Sequence, residues 1–535
     1  MEKEFNLLDE PWIRVMKRDC CVEELSLTDA LLHAQEYTDL AGELPTQNAA
    51  VLRLLLAVLH AVFGKYNEKG EEQRIENEDD ALDLWKALWD AGSFPEKPIR
   101  KYLDSQKEKF WLFHPERPFW QIPVAFGTEY EASKLNGALS ESSNKLRLFP
   151  DRTGELRNRL TYAEAARWLL YVNAYDDTSA KPTKAGKIAN EGKLPSPGAG
   201  WVGKLGFVKV CGNNFFETLM QNLVLLNEKD EPWSDCIPEW EHENVKTAER
   251  TMIVVPNDQA ALMTLQSRRM LLKRQRGFVT GYYLIGGDFF DKENCFSEQM
   301  TVWGFVKDKK GNIVGHQPKR HNSSLQMWRD FSSYTSTALT SHIPGVIRWN
   351  SYLQRMNILP RNKTIYLGIC AIQYGDKDFF AADTFADSLS FSLGLVADFG
   401  ESCRNHVINE VERCERIAKN LNALSSDLFL AAGGDVKKKG VSFEKAKERY
   451  YCEIDIPFRK WLVSLDAEGS GIDERVCAWR KQAESIAYRI AKEMVQNAGP
   501  GAYVGKIVKT EKDSDGRYYS SSLAMKWFKI KMSKL

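Results

Sequence analysis

Residues 47–63 read QNAAVLRLLLAVLHAVF. Leu52, Leu55, Leu56 and Leu59 recur at helical spacing, which predicts a helix. Its apolar character runs nearly all the way round, whereas a surface helix carries a one-sided stripe, so the segment is predicted in the middle of a large core. The break GELPT at 42–46 sets off its start.

Outward from that helix, the N-terminal part alternates elements. Residues 5–12 read as a strand and turn, and Ser26 caps a short helix through Ala34 with Asp29 in its first turn. Trp85 and Trp89 stand at i, i+4 in a helix over 81–92 and are expected to pack inward, while the prolines and aromatics of 110–123 indicate strand and loop. Residues 136–157 lack periodicity and are predicted as a long loop. A capping box, Thr161 to Glu164, opens a helix over 161–175. The irregular stretch 176–206 carries Lys181, Lys184, Lys187 and Lys193 and is rich in glycine and proline. It is either a loose surface loop or a segment whose glycines allow close backbone approach to a ligand.

Strands are predicted at 207–210, 262–272, 278–285, 301–306 and 365–373, with a helix at 215–226. Lysine- and arginine-rich turns join some of them, and Gly311-Asn312 between two β-rich runs is a hairpin signal. Beyond about residue 385 the pattern is helical, over 389–424, 442–467, 473–499 and 501–535, broken by glycine pairs. Four long segments with short breaks are best solved as a bundle. The expected fold is therefore α+β: a large mixed α/β N-terminal domain over 1–385 and a C-terminal four-helix bundle over 386–535.

The chain has 535 residues and balances 73 basic against 73 acidic side chains, so any nucleic-acid contact must rest on local patches or on partners. The ten cysteines are scattered without a CxxC pair, which predicts neither a zinc knuckle nor a disulfide framework. The opening MEKEFNLLDEPW holds no signal-peptide core, and no stretch was expected to approach a membrane span; the reading is cytoplasmic, with no membrane partner.

No P-loop, GxSxG elbow, HExxH or paired His-Asp metal signature is present, and no cofactor is expected. His321, beside Arg320, reads as a solvated or phosphate-facing residue. Gly286-Gly287-Asp288 is a weak phosphate turn, and Asp376 and Asp378 flank a lysine, a poor cation site. Nucleic acid is better served. Arg268, Arg269, Lys273, Arg274 and Arg276 are candidate phosphate contacts, and the turns at 307–312 and 375–378 could carry side chains into a groove. The rivals are a metal-dependent hydrolase, which lacks its ligand cluster, and a purely structural helical adaptor.

The opening FNLLDEPWI at 5–13, LSL at 25–27, AGELPTQ at 41–47 and LRLLLA at 52–57 closely resemble the CasA family, large subunits of type I-E CRISPR Cascade complexes. Later landmarks follow in order: AARWLL at 165–170, Gly200-Trp201, Asn214 to Leu219, QSRR at 266–269 and Pro457-Phe458-Arg459. The resemblance covers essentially the whole chain. It implies an N-terminal mixed domain, a C-terminal four-helix bundle, and a non-catalytic role. That role is to recognise a protospacer-adjacent motif (PAM) in double-stranded DNA, open the duplex into an R-loop and recruit a helicase-nuclease in antiviral defence, alongside other Cascade subunits and the crRNA, whose pairing reads the rest of the target.

Residue by residue, it implies that the hairpin lysines Lys307, Lys309 and Lys310 meet the minor groove, with Lys309 or Lys310 favoured. A family glutamine wedge falls near Gly375, Asp376, Lys377, Asp378 and Phe379, where this chain has no glutamine, so Lys377 or Phe379 takes that role or the opening mode differs. A family glycine loop falls at 159–162, where Thr161 stands and glycine is absent. The crRNA- and subunit-contacting loop matches 135–149, with Asn136, Asn144 and Lys145 as its candidate contacts.

Overall fold

Pro45 occupies the first turn of helix α1 (Pro45–Phe63), where its missing N–H costs nothing, and Gly64 ends it. By length and composition this helix could cross a membrane, which corrects the expectation that no stretch comes close. Inside the protein, however, 94% of its most apolar window is buried. It packs against four further helices and forms the core that its periodicity predicts.

The structure is a computed structural model that describes residues 2–125, 128–136, 152–177, 198–247, 250–336, 341–378, 380–435, 442–510 and 513–535. The chain divides into two compact units. The first comprises 1–325, 336–359 and 366–388. The second comprises 389–535 together with the upstream segments 326–335 and 360–365, which sequence reading had placed in the N-terminal domain.

In the first unit, β1 (Glu4–Asn6) precedes a three-stranded sheet of β2 (Ile13–Lys17), β3 (Val22–Leu25) and β4 (Tyr37–Leu40), in the order β3-β2-β4. Helix α2 (Glu78–Ala91) buries Trp85 completely and stacks it on Trp89 at 5.0 Å, as the i, i+4 spacing predicts. β5 (Trp111–Phe113) pairs back to β1. β6 (Thr128–Glu131) is an edge strand of a three-stranded sheet completed by two later strands, Arg268–Gln275 and Phe278–Gly286, the second of which pairs with it. Helix α3 (Tyr162–Tyr175) carries the predicted capping box with both reciprocal hydrogen bonds formed.

β7 (Gly206–Cys211) is followed by α4 (Phe215–Asn222), shorter than expected because Asn222 turns its amide back to the carbonyls of Val210 and Thr218. The strand expected over 262–272 begins late: Asp258 caps a helical turn (Gln259–Met263), and β8 (Arg268–Gln275) then pairs with β9 (Phe278–Gly286). β10 (Thr301–Lys307) and β11 (Ile313–Pro318) form the predicted hairpin. With β7, β12 (Thr364–Tyr374) and β13 (Ala381–Ser392) they make a five-stranded sheet of order β11-β10-β7-β12-β13.

In the second unit, four helices associate: α5 (Glu401–Ala431), α6 (Glu444–Val463), α7 (Ile472–Gln496) and α8 (Ser521–Met532). α5 touches each of the other three, burying Val407, Cys414, Ile417, Leu421 and Leu424 along one stripe. Phe458 meets Trp479 edge-on at 5.2 Å and stacks on Trp328 at 4.1 Å. Two expectations are corrected. Residues 389–392 belong to a strand, with α5 starting only after Gly400, and 501–535 is not continuous helix. A ribbon of β14 (Lys506–Thr510) and β15 (Asp513–Tyr519) interrupts it, since the β-rich runs around Ile507 and Tyr518 have a strand partner to pair with.

Candidate nucleic-acid interface

The β10–β11 hairpin is built for a protruding tip. Trp303 and Pro318 pair at its buried base, and the register runs to Lys307 opposite Ile313. Beyond Gly304 the side chains open to solvent: Phe305, Ile313 and Val314 are 45%, 41% and 56% exposed. Asp308 organises the turn, its carboxylate accepting the backbone N–H of Lys310 and of Asn312, both at 2.8 Å, and the Asn312 side chain at 3.0 Å. Those bonds hold its carboxyl below the usual carboxylate range, the Asn312 side chain contributing most. Gly311 takes φ +89°, as this tight return requires. Lys307, Lys309 and Lys310 are all exposed, and none forms an ion pair with a described residue. A tip whose acid is consumed by its own backbone presents three unneutralised cations to solvent, which suits a phosphate-lined groove.

The second element is the turn between β12 and β13. Its Gly375 N–H donates to the Phe380 carbonyl at 2.8 Å and its Asp378 N–H to the Gly375 carbonyl at 3.0 Å. Lys377 and Asp378 both sit in the left-handed region, at φ 52° and 59°, and the Lys377 side chain is exposed at the apex. Arg320, two residues past β11, donates to Asp378 at 2.8 Å and covers the Tyr374 ring at 4.8 Å. The hairpin base and the turn are thus brought together. Phe379 lies outside the described residues.

Three glycines of the irregular stretch make room for the protein itself. A Cβ would lie 2.5 Å from the Ala174 carbonyl oxygen at Gly200, 2.2 Å from the Tyr374 hydroxyl at Gly203 and 2.1 Å from the Lys319 carbonyl oxygen at Gly206. The close approach expected of these glycines is real, but its objects are the chain's own residues around the site. Beside them burial pushes the Lys204 ammonium down to about 8, with the like charges of Arg268, Lys292, Arg320 and Arg250 adding to the effect.

Other predicted residues are placed differently. Arg268 and Arg269 are corrected as phosphate contacts, because both are buried and committed internally. Arg268 pairs with Asp176 at 2.5 Å and donates to the Asp177 and Gly198 carbonyls, and Arg269 pairs with Asp288 at 2.5 Å. That pairing also gives Asp288 a structural partner in the weak glycine turn. Lys273 is exposed but pairs with Glu129 at 2.6 Å, and Arg274 pairs with Glu4 while covering Phe113 at 4.7 Å. Arg276 stands exposed in its turn at φ 51° and forms no ion pair with a described residue.

Thr161 spends its hydroxyl on the cap of α3. The site's Tyr374 donates to the Tyr175 carbonyl at the far end of that helix, about 20 Å away at 1.5 Å per residue. Thr161 is therefore not part of the hairpin–turn cluster. Asn136 ends a short helix, and Asn144 and Lys145 lie outside the described residues. His321 brings its Nε2 to 2.9 Å from the Phe207 carbonyl oxygen, a structural contact. Sequence reading missed Arg320 and Tyr374 as site residues. Arg320 lies 58 residues from Asp378, and no local pattern marks such a pair.

Among the described residues, no group of three or more His, Cys, Asp or Glu is placed to hold a metal ion. The model of the CRISPR-associated protein Cse1 family matches residues 6–490, through both elements of the site. The chain belongs to the Cse1 family. A curated CasA/Cse1 protein of Thermus thermophilus is 35% identical over 240 residues, 45% of this chain; the match spans 42% of that relative's length. The solved Cse1 of Thermobifida fusca superposes with a TM-score of 0.79 at 26% identity, over 99% of this chain and 98% of that one. A chain of a CRISPR RNA-guided surveillance complex shares the Cse1 fold at a TM-score of 0.62 and 15% identity, covering 93% of this chain and all of that one.

Proposed function

We propose that this Cse1-family chain is the large subunit of a type I-E CRISPR effector complex, working with its other subunits and crRNA. In this reading it recognises the PAM in double-stranded DNA, opens the adjacent duplex and recruits the helicase-nuclease that degrades the target. The observation that carries the reading is the hairpin tip. Three exposed lysines stand on a turn whose acid is tied to its own backbone, at the tip of a hairpin whose base is joined through Arg320 to a second turn that presents Lys377. Minor-groove readout distinguishes mainly A·T from G·C, so a lysine tip supports tolerance of several related PAMs. Lys377 or Phe379 takes the duplex-splitting place where the family carries glutamine, or the opening mode differs. A neutral overall charge fits a subunit whose electrostatic field is completed by partners, and ten cysteines that are all free agree with a cytoplasmic setting.

The test is a PAM-library binding assay on the reconstituted complex. Enrichment of a short motif next to the protospacer, lost when the hairpin lysines are removed, is the expected result. Binding indifferent to flanking sequence would overturn the reading in favour of a structural adaptor. Cleavage of DNA by the purified chain with a divalent metal would revive the hydrolase.

A further inference from the structure

Two consecutive non-glycine residues in the left-handed region, Lys377 and Asp378, form a conformation that L side chains adopt rarely and that persists only where surroundings impose it. The floor of the turn is anchored by packing and a hydrogen bond. Tyr374 donates its hydroxyl to the Tyr175 carbonyl at 2.6 Å and lies against Gly203, where no side chain would fit. Above that floor, the Asp378 side chain pairs with Arg320 at 2.8 Å, its one charged partner among the described residues. The same guanidinium covers the Tyr374 ring at 4.8 Å. One side chain therefore touches both the floor and the strained corner, and it projects from the base of the lysine hairpin.

We infer that Arg320 is a positioning residue that braces the 375–378 turn through Asp378 and Tyr374 and fixes its orientation relative to the hairpin. This inference rests on the reading of that turn as the duplex-opening element. The planar guanidinium is suited to the task because it can stack on a ring and donate in its plane at once, which an ammonium cannot. Arg320 is then needed for opening rather than for initial recognition. The pair is about one-third exposed on each side, 33% and 31%, so it braces without being sealed in the core.

The experiment uses the reconstituted complex and a PAM-bearing duplex with 2-aminopurine in the first base pairs of the protospacer. Fluorescence reports opening, and mobility shifts report binding to intact duplex and to a target already opened as a bubble. For Arg320→Ala, opening is expected to slow tenfold or more, the scale of a mispositioned functional group, with affinity for intact duplex and bubble changed far less. Asp378→Asn, nearly isosteric, should give the same split, and the double variant should be no worse than either single one because both act through one contact. Arg320→Lys should recover only part of the rate.

Equal losses on intact duplex and bubble would overturn the inference, making Arg320 a general phosphate contact or a folding residue. Normal opening in Arg320→Ala beside abolished opening in Lys377→Ala would leave the turn as the opening element and remove the brace. Normal opening in both variants would sink the reading of the turn itself. Should Arg320→Ala fail to fold, Asp378→Asn and Arg320→Lys carry the same comparison.

Discussion

Arg53 and Glu298, 245 residues apart, meet in a buried two-bond ion pair, Nη1 to Oε1 at 2.8 Å and Nη2 to Oε2 at 3.0 Å. The carboxylate is further held by the Trp201 indole N–H at 2.8 Å and the Met300 backbone N–H at 3.1 Å. Both side chains are almost wholly shielded. Removing one partner leaves a buried charge uncompensated, which costs about 3–5 kcal/mol. Glu298→Ala should therefore lower the thermal midpoint sharply. The double variant Arg53→Met with Glu298→Leu should recover much of that loss, because no charge is then stranded. Calorimetry of the three proteins checks this. A double variant as unstable as Glu298→Ala would show that the hydrogen bonds to Trp201 and Met300, rather than the charge balance, hold the region.

At the hairpin tip, Lys309→Ala with Lys310→Ala should weaken binding to PAM-bearing duplex while sparing a target already opened as a single strand. The comparison is a mobility-shift series at one salt concentration, since phosphate contacts alone make affinity salt-dependent. Equal losses on both targets would reduce these lysines to generic phosphate contacts.

Gly206 is predicted to tolerate no side chain. Its Cβ would lie 2.1 Å from the Lys319 carbonyl oxygen and 2.3 Å from a Val302 methyl, so backbone must shift. Gly206→Ala should cost about 1–3 kcal/mol, the range for forced overpacking. At Gly311 the space is open and only φ +89° is at stake, so Gly311→Ala should act locally on the tip through its backbone strain. Denaturation midpoints that fail to separate the two variants would contradict this assignment.

Burial pushes the Asp258 carboxyl up to about 6 from 3.8, outweighing the backbone N–H bonds it accepts as a helix cap. A raised folded pKa means that the folded state holds the proton more tightly than the unfolded chain. The associated stability is fully present below about pH 4 and is lost as pH rises through 6. Asp258→Asn keeps the cap without a charge. It should match the parent near pH 4 and exceed it at pH 8 by up to about 3 kcal/mol, since each pH step between the unfolded and folded values is worth about 1.36 kcal/mol. Thermal midpoints across that range test the sign, and a variant less stable at pH 8 would refute it.

Local pattern carried far in this chain. The buried helix over 47–63, the capping box at Thr161, the Trp85–Trp89 pair and the 307–312 hairpin each depend on neighbours a few residues apart, and each appears as read. Where the strand expected over 262–272 should begin, an Asp258 cap outweighed β-rich composition, and where 501–535 was read as helix, a ribbon found its strand partner.

By itself, then, the sequence determined the elements with a strong period, the α+β class, the helical C-terminal region and the family, because spacing and ordered motifs are properties of the chain alone. Only the tertiary structure decided which charges are available. Arg268 and Arg269 read as phosphate contacts until the fold buried them against Asp176 and Asp288. Arg320 became a site residue only when folding set it on Asp378, 58 positions away. The physical reason is that a cation's role depends on desolvation and on its nearest anion, and both are fixed by contacts between residues that sequence spacing does not bring together.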